Sequence, residues 1–131
     1  MARIKIKCAL ALLLITSAST AAPPTTTKPG TIHIDNALDK CQQITGQAID
    51  IASIPTLKLD FKTLASTAEC GCKSMLNSYS VAIKLDGYSR RVLSGSFKFP
   101  NQSPLTLPLA AQPELIKGQS LQVSLGCEAP L

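Results

Sequence analysis

Apolar side chains recur at every second residue in six separate runs along this chain. They are Ile32 and Ile34; Leu57, Leu59 and Phe61; Tyr79, Val81, Ile83 and Leu85; Leu93, Gly95, Phe97 and Phe99; Leu105, Leu107 and Leu109; and Leu121, Val123, Leu125 and Cys127. Successive side chains of an extended chain point to opposite faces, so each run offers one apolar face to a core and one polar face to water. The pattern predicts half-buried antiparallel strands. Asp86-Gly87-Tyr88-Ser89 reads as a hairpin turn, because glycine accepts the positive φ that such turns use. Pro100 to Pro104 and Lys117-Gly118-Gln119 close and open the neighbouring strands. Helical signals are confined to Asn36–Gln43, capped by Asp35 or Asn36, and to Ser66–Glu69. Short strands with turns at this spacing predict a two-sheet β-sandwich.

The start of the chain reads differently. Arg3, Lys5 and Lys7 precede an apolar stretch from Cys8 to Ile15 that is too short to span a bilayer, and Ser19-Thr20-Ala21 offers small residues for cleavage. Residues 1–21 are therefore read as a secretory signal peptide and 22–30, rich in proline and threonine, as a flexible linker. Residues 31–131 form the expected single domain. Export is expected to place that domain in the periplasm, with secretion from the cell as the alternative, and no later segment is apolar enough for stable membrane insertion. The leader holds three of the 13 basic residues and none of the 8 acidic ones, so ten basic residues face eight acidic ones after cleavage. The charges alternate without forming a basic run, which argues against a nucleic-acid partner.

Cleavage also removes Cys8 and leaves Cys41, Cys70, Cys72 and Cys127. In an oxidising compartment these are expected to form two disulfides, which supplement a core that has no tryptophan and only five phenylalanines and tyrosines. Three pairings are open. If Cys70-Gly71-Cys72 lies in a strand, its two sulfurs share a face with Cα atoms roughly 6.5–7 Å apart, at the limit for a direct bond. A 70–72 bond beside 41–127 needs a bend at Gly71. Cys127 ends the inward set of the last strand and is placed to reach across the core. We expect 41–72 with 70–127, and 41–70 with 72–127 is nearly equivalent on sequence grounds.

Chemistry is sparsely represented. His33 is the only histidine and sits near the start of the domain, away from any nucleophile-elbow pattern. Acids are scattered singly and there is no glycine-rich phosphate loop. The expectation is a non-enzymatic protein with no cofactor and no metal site. Tyr88, Arg90 and Arg91 at the hairpin are the candidate partner-binding residues, since tyrosine and arginine dominate interface hot spots.

The segment from Leu105 to Leu109, a corner, and then Ile116 to Cys127 resembles the E strand, corner and F strand of immunoglobulin-like domains. It makes the expected fold class an all-β, immunoglobulin-like antiparallel sandwich stapled by disulfides, with a small open barrel as the competitor. Thr67-Ala-Glu-Cys-Gly-Cys-Lys-Ser74, followed by Ser78-Tyr-Ser-Val81 and preceded by Ile34-Asp-Asn-Ala-Leu-Asp-Lys-Cys41, resembles a family of small exported proteobacterial proteins of uncharacterised function. That resemblance implies periplasmic residence. A weaker similarity is to periplasmic inhibitors of curli assembly, which are small immunoglobulin-like domains with a Cys-X-Cys pair ahead of a strand. Cys41 and Cys127 depart from their pattern. The functional expectation is a periplasmic module that binds another protein, with an immunity-type inhibitor as its concrete form. The alternatives are a thiol–disulfide or copper-handling protein acting through Cys70 and Cys72, and a structural subunit or chaperone of a surface fibre.

Overall fold

The computed structural model describes residues 29–130, so the expected leader and most of the expected linker lie outside it. The described strands are β1 (Ile32–Asn36), β2 (Gln42–Asp50), β3 (Thr56–Thr63), β4 (Asn77–Leu85), β5 (Tyr88–Phe97), β6 (Leu105–Pro108) and β7 (Leu121–Cys127). Short 3-10 turns cover Thr67–Cys70 and Pro113–Leu115. One sheet has the order β1-β7-β4-β5 and the other β2-β3-β6. The Gly30 N–H donates to Gln119 O at 2.9 Å, just ahead of β1.

The alternating runs meet between the sheets. Leu57, Leu59 and Phe61 of β3, with Leu105 and Leu107 of β6, face Tyr79, Val81 and Ile83 of β4 and Leu121, Val123 and Leu125 of β7. Leu57, Leu59, Val81, Ile83 and Val123 are fully buried. Each such side chain contributes about 1.5–3 kcal/mol relative to exposure, so this aliphatic layer drives the fold and the disulfides supplement it. Gly95 faces the same layer. A Cβ there would lie 3.0 Å from Tyr79 Cε1, so the missing side chain is what admits the tyrosine ring. Burial raises the Tyr79 phenol above its ordinary value.

Three departures from the expected strands have local causes. The segment Asn36–Gln43, expected as a turn or short helix, is a turn over residues 37–41, and it leads into an unexpected strand, β2. Its apolar residues Ile44 and Ile49 stand five apart, which breaks a period of two, and a β-bulge between Ile44 and Gly46 restores both to the same face. Asn36 ends β1 instead of capping a helix, and its Oδ1 accepts the Leu38 N–H at 3.0 Å to tighten the turn into β2. β5 begins at Tyr88, five residues earlier than its alternation suggests, because a second bulge opposite Val81 and Ala82 shifts the phase.

The third departure is at the edge. β1 pairs in parallel with β7, from Ile32 opposite Leu121 to Asn36 opposite Leu125, whereas all other pairings are antiparallel. β6 and β7 do lie in different sheets, as an E-to-F connection requires. The first strand of the chain, however, occupies the edge beside β7. The fold is a two-sheet β-sandwich that does not reproduce the immunoglobulin-like arrangement strand for strand.

Candidate functional site

The structure pairs Cys41 with Cys70 and Cys72 with Cys127. This corrects the expected 41–72 and 70–127 bridges, and the reason lies in local geometry. Cys70-Gly71-Cys72 is not a strand. Cys70 ends the 3-10 turn that starts at Thr67, and Gly71 takes φ +90°, the left-handed conformation that glycine adopts without steric cost. The turn is anchored where Glu69 Oε2 accepts the Ser66 N–H at 3.1 Å. The bend at Gly71 therefore sends the two sulfurs apart.

Strand register then selects each partner. Gln42 at the start of β2 lies opposite Thr63 at the end of β3, and Cys41 O accepts N–H groups from Leu64 and Ala65. The turn carrying Cys70 follows directly. Asn77 at the start of β4 lies opposite Cys127 at the end of β7, which brings Cys127 to the residues just before β4. Cys127 thus bonds along the end of its own sheet and does not cross the core. Cys70 and Cys72 are each committed to a different bridge, and neither is bonded to the other.

The hairpin residues separate. β4 and β5 are joined by Asp86 and Gly87, with Gly87 at φ +80°. Tyr88 lies opposite Leu85 and Arg90 opposite Ile83, so both stand on the inward-facing side of the sheet, at an edge that leaves them exposed. Arg91 lies opposite Ala82 on the outer side. There it lines a shallow trough of about 460 Å³ floored by Ser80, Ser94 and Ser124 and bordered by Asp35. The proposed trio is therefore one pair and one outlying arginine. His33 is exposed on the outer side of β1, in register with Gln122. Among the described residues, no three histidine, cysteine or acidic side chains come together in a metal-binding group.

A feature absent from the sequence reading lies at the disulfide end of the sandwich. An opening of about 390 Å³ is bounded by Cys72, Phe99 and Met75, with Lys73 and Lys98 on its walls and Asn77 within it. Phe99 packs edge-on against Phe61 and Phe97, with ring centroids 5.2 and 5.0 Å away, so the apolar wall is continuous with the core. Met75 is 75% exposed. Asn77 is only 1% exposed. Its Oδ1 lies 3.9 Å from the Cys72 sulfur, which is in a disulfide and has no hydrogen to donate. The nearby Gln42 differs: its Oε1 accepts from Thr63 Oγ1 at 2.9 Å and its Nε2 faces Ala65 O at 3.5 Å. Asn77 was legible in principle, since it stands two residues before Tyr79 and so continues the inward phase of β4 as a polar residue.

A family model described as an uncharacterized protein conserved in bacteria (DUF2195) matches residues 13–130. The chain belongs to this family. The span matched to DUF2195 takes in all four bridged cysteines, the β4–β5 hairpin and the end opening. No curated protein and no solved structure matches the chain. The family description carries no activity, so function is argued from the geometry. Two disulfides are present, and among the described residues no helix is long and apolar enough to cross a membrane.

Proposed function

We propose that this protein is a non-enzymatic binding module of the periplasm that recognises another protein through the β4–β5 hairpin. Its concrete form is an immunity-type inhibitor of a toxin or other secreted protein. The observation that carries the reading is the pairing of Tyr88, 64% exposed, with Arg90 on the same side of a two-residue hairpin held by a sandwich with two disulfides. A rigid scaffold reduces the ordering cost of binding, exposed tyrosine offers large contact area with few rotamers to freeze out, and arginine adds a planar set of donors. The disulfides agree with an oxidising compartment, and the leader expected at residues 1–21 supplies the route there.

The test is affinity capture from periplasmic extract, followed by quantitation of the recovered partner for three hairpin variants. Tyr88→Ala with Arg90→Ala is expected to reduce capture by about tenfold or more while thermal unfolding stays close to wild type, because both side chains are exposed. Arg91→Ala, on the opposite side, is expected to reduce it far less. Equal capture by the double variant and the wild type would contradict the proposal.

A further inference from the structure

The disulfide end of the sandwich holds a buried amide oxygen, Asn77 Oδ1, that faces a sulfur with no hydrogen to donate. Asn77 is 1% exposed, and its Oδ1 lies 3.9 Å from the Cys72 sulfur, which is held in a disulfide. A carboxamide shielded from water is costly without hydrogen bonds, on the order of 1–3 kcal/mol. Comparable amides nearby are satisfied: Asn36 Nδ2 donates to Gln42 O at 2.7 Å, and Gln42 is bonded to Thr63 and Ala65. Asn77 lines the opening, so this oxygen borders whatever enters.

The rest of the opening narrows the chemistry of that occupant. Lys73 and Lys98 supply positive charge, and no aspartate or glutamate lines the walls. The occupant is therefore anionic near the mouth. Phe99 and Met75 supply an apolar wall, and methionine adapts to varied shapes. A volume of about 390 Å³ lies at the small end of the range for ligand sites, which suits one or two residues and not an extended chain.

We infer that the opening between Asn77, Phe99 and Lys98 captures the carboxyl-terminal end of a partner polypeptide that finishes in an apolar residue. The terminal carboxylate meets Lys73 and Lys98, the last peptide N–H meets Asn77 Oδ1, and the apolar side chain lies against Phe99 and Met75. A simple fatty acid offers the carboxylate and the apolar tail but no N–H, so it leaves the Asn77 oxygen unsatisfied. An internal peptide segment offers the N–H but no terminal carboxylate. This site is separate from the hairpin. The nine residues of β4 place Asn77 and Leu85 about 27 Å apart at 3.4 Å per residue, so either site can fail without the other.

The test titrates the disulfide-bonded protein with N-acetyl-Ala-Ala-Phe as the free acid, with its carboxyl-terminal amide, and with decanoate, followed by amide chemical-shift mapping. The expected result is saturable binding of the free acid, with shifts centred on Asn77 and Phe99. Amidation is expected to weaken binding by about tenfold or more, as loss of a charge-assisted contact implies. The surface variant Lys73→Gln with Lys98→Gln is expected to weaken the free acid by a similar factor without a change in folding, and Asn77→Ala should weaken it as well. Three results would overturn the inference: equal affinity for acid and amide, binding of decanoate that is at least as tight and indifferent to Asn77→Ala, or no shift at Asn77 and Phe99 at millimolar peptide.

Discussion

Replacing Cys72 and Cys127 together by serine is expected to lower the free energy of unfolding by about 4 kcal/mol. The bridge closes a loop with a sequence separation of 55, and the chain-entropy model assigns a loop of that length about 4 kcal/mol. The Cys41–Cys70 bridge, with a separation of 29, is worth about 3.5 kcal/mol on the same basis. The two loops follow one another along the chain without overlap, so their restrictions of the unfolded state are close to independent. Removing both approaches the whole of a typical net stability of about 5–15 kcal/mol. Urea unfolding measures this. With a slope of about 1–2 kcal/mol/M, the midpoint of the Cys72/Cys127 variant falls by about 2–4 M, and the slope rises because the unfolded chain is less compact. A midpoint within a few tenths molar of wild type would show that the bridge restrains little.

Leu59→Ala is expected to cost about 2–5 kcal/mol, comparable to the loss of a disulfide but by a different mechanism. Leu59 is fully buried in β3, the central strand of its sheet, between Gln47 of β2 and Leu105 of β6. Deleting its side chain removes apolar contacts and leaves a cavity that neighbours on both sides cannot collapse into. Ile34→Ala provides the comparison. Ile34 is half-buried in the parallel edge strand β1, where the sheet ends and water can fill the gap, so a smaller loss is expected. Chemical denaturation of both variants checks the ordering. If Ile34→Ala is the more damaging change, β1 is the keystone of the sandwich and not its margin.

Much of the sandwich is legible in the sequence because burial on one sheet face imposes a period of two. Tyr79, Val81 and Ile83 alternate without interruption, and the structure buries all of them. β2 escaped detection because a bulge places Ile44 and Ile49 at odd spacing. Arg91 parts from Tyr88 and Arg90 by plain alternation, and a second bulge at Val92 breaks the phase between this stretch and Leu93. An extra residue inverts the phase of everything beyond it, and nothing in the local residue types marks its position. The parallel pairing of β1 with β7 was equally hidden, since alternation reports faces and not neighbours.

The cysteine pairing failed for a different reason. Two residues were read as a strand where Gly71 in fact turns the chain at the end of a 3-10 segment. The reading that Cys70 and Cys72 anchor two separate bridges agrees with the structure, but the partners were exchanged. Asn77 carried a usable signal, a polar residue in the inward phase of a strand. The sulfur that faces its Oδ1 is committed to the Cys72–Cys127 bond, which emerges only in three dimensions.

The double anchor at Cys70-Gly71-Cys72 is the centre of this account, and one measurement tests it directly. Conventional disulfide mapping does not separate the two leading pairings, because Cys70 and Cys72 share the tryptic peptide from Thr63 to Lys73. The variant Cys70→Ser separates them. After recovery from an oxidising compartment, alkylation and tryptic digestion, the pairing Cys41–Cys70 with Cys72–Cys127 predicts a single alkylated thiol at Cys41. That label falls in the peptide from Cys41 to Lys58, and the bridge to Cys127 stays intact. A label at Cys127, with Cys41 bonded to Cys72, would contradict it.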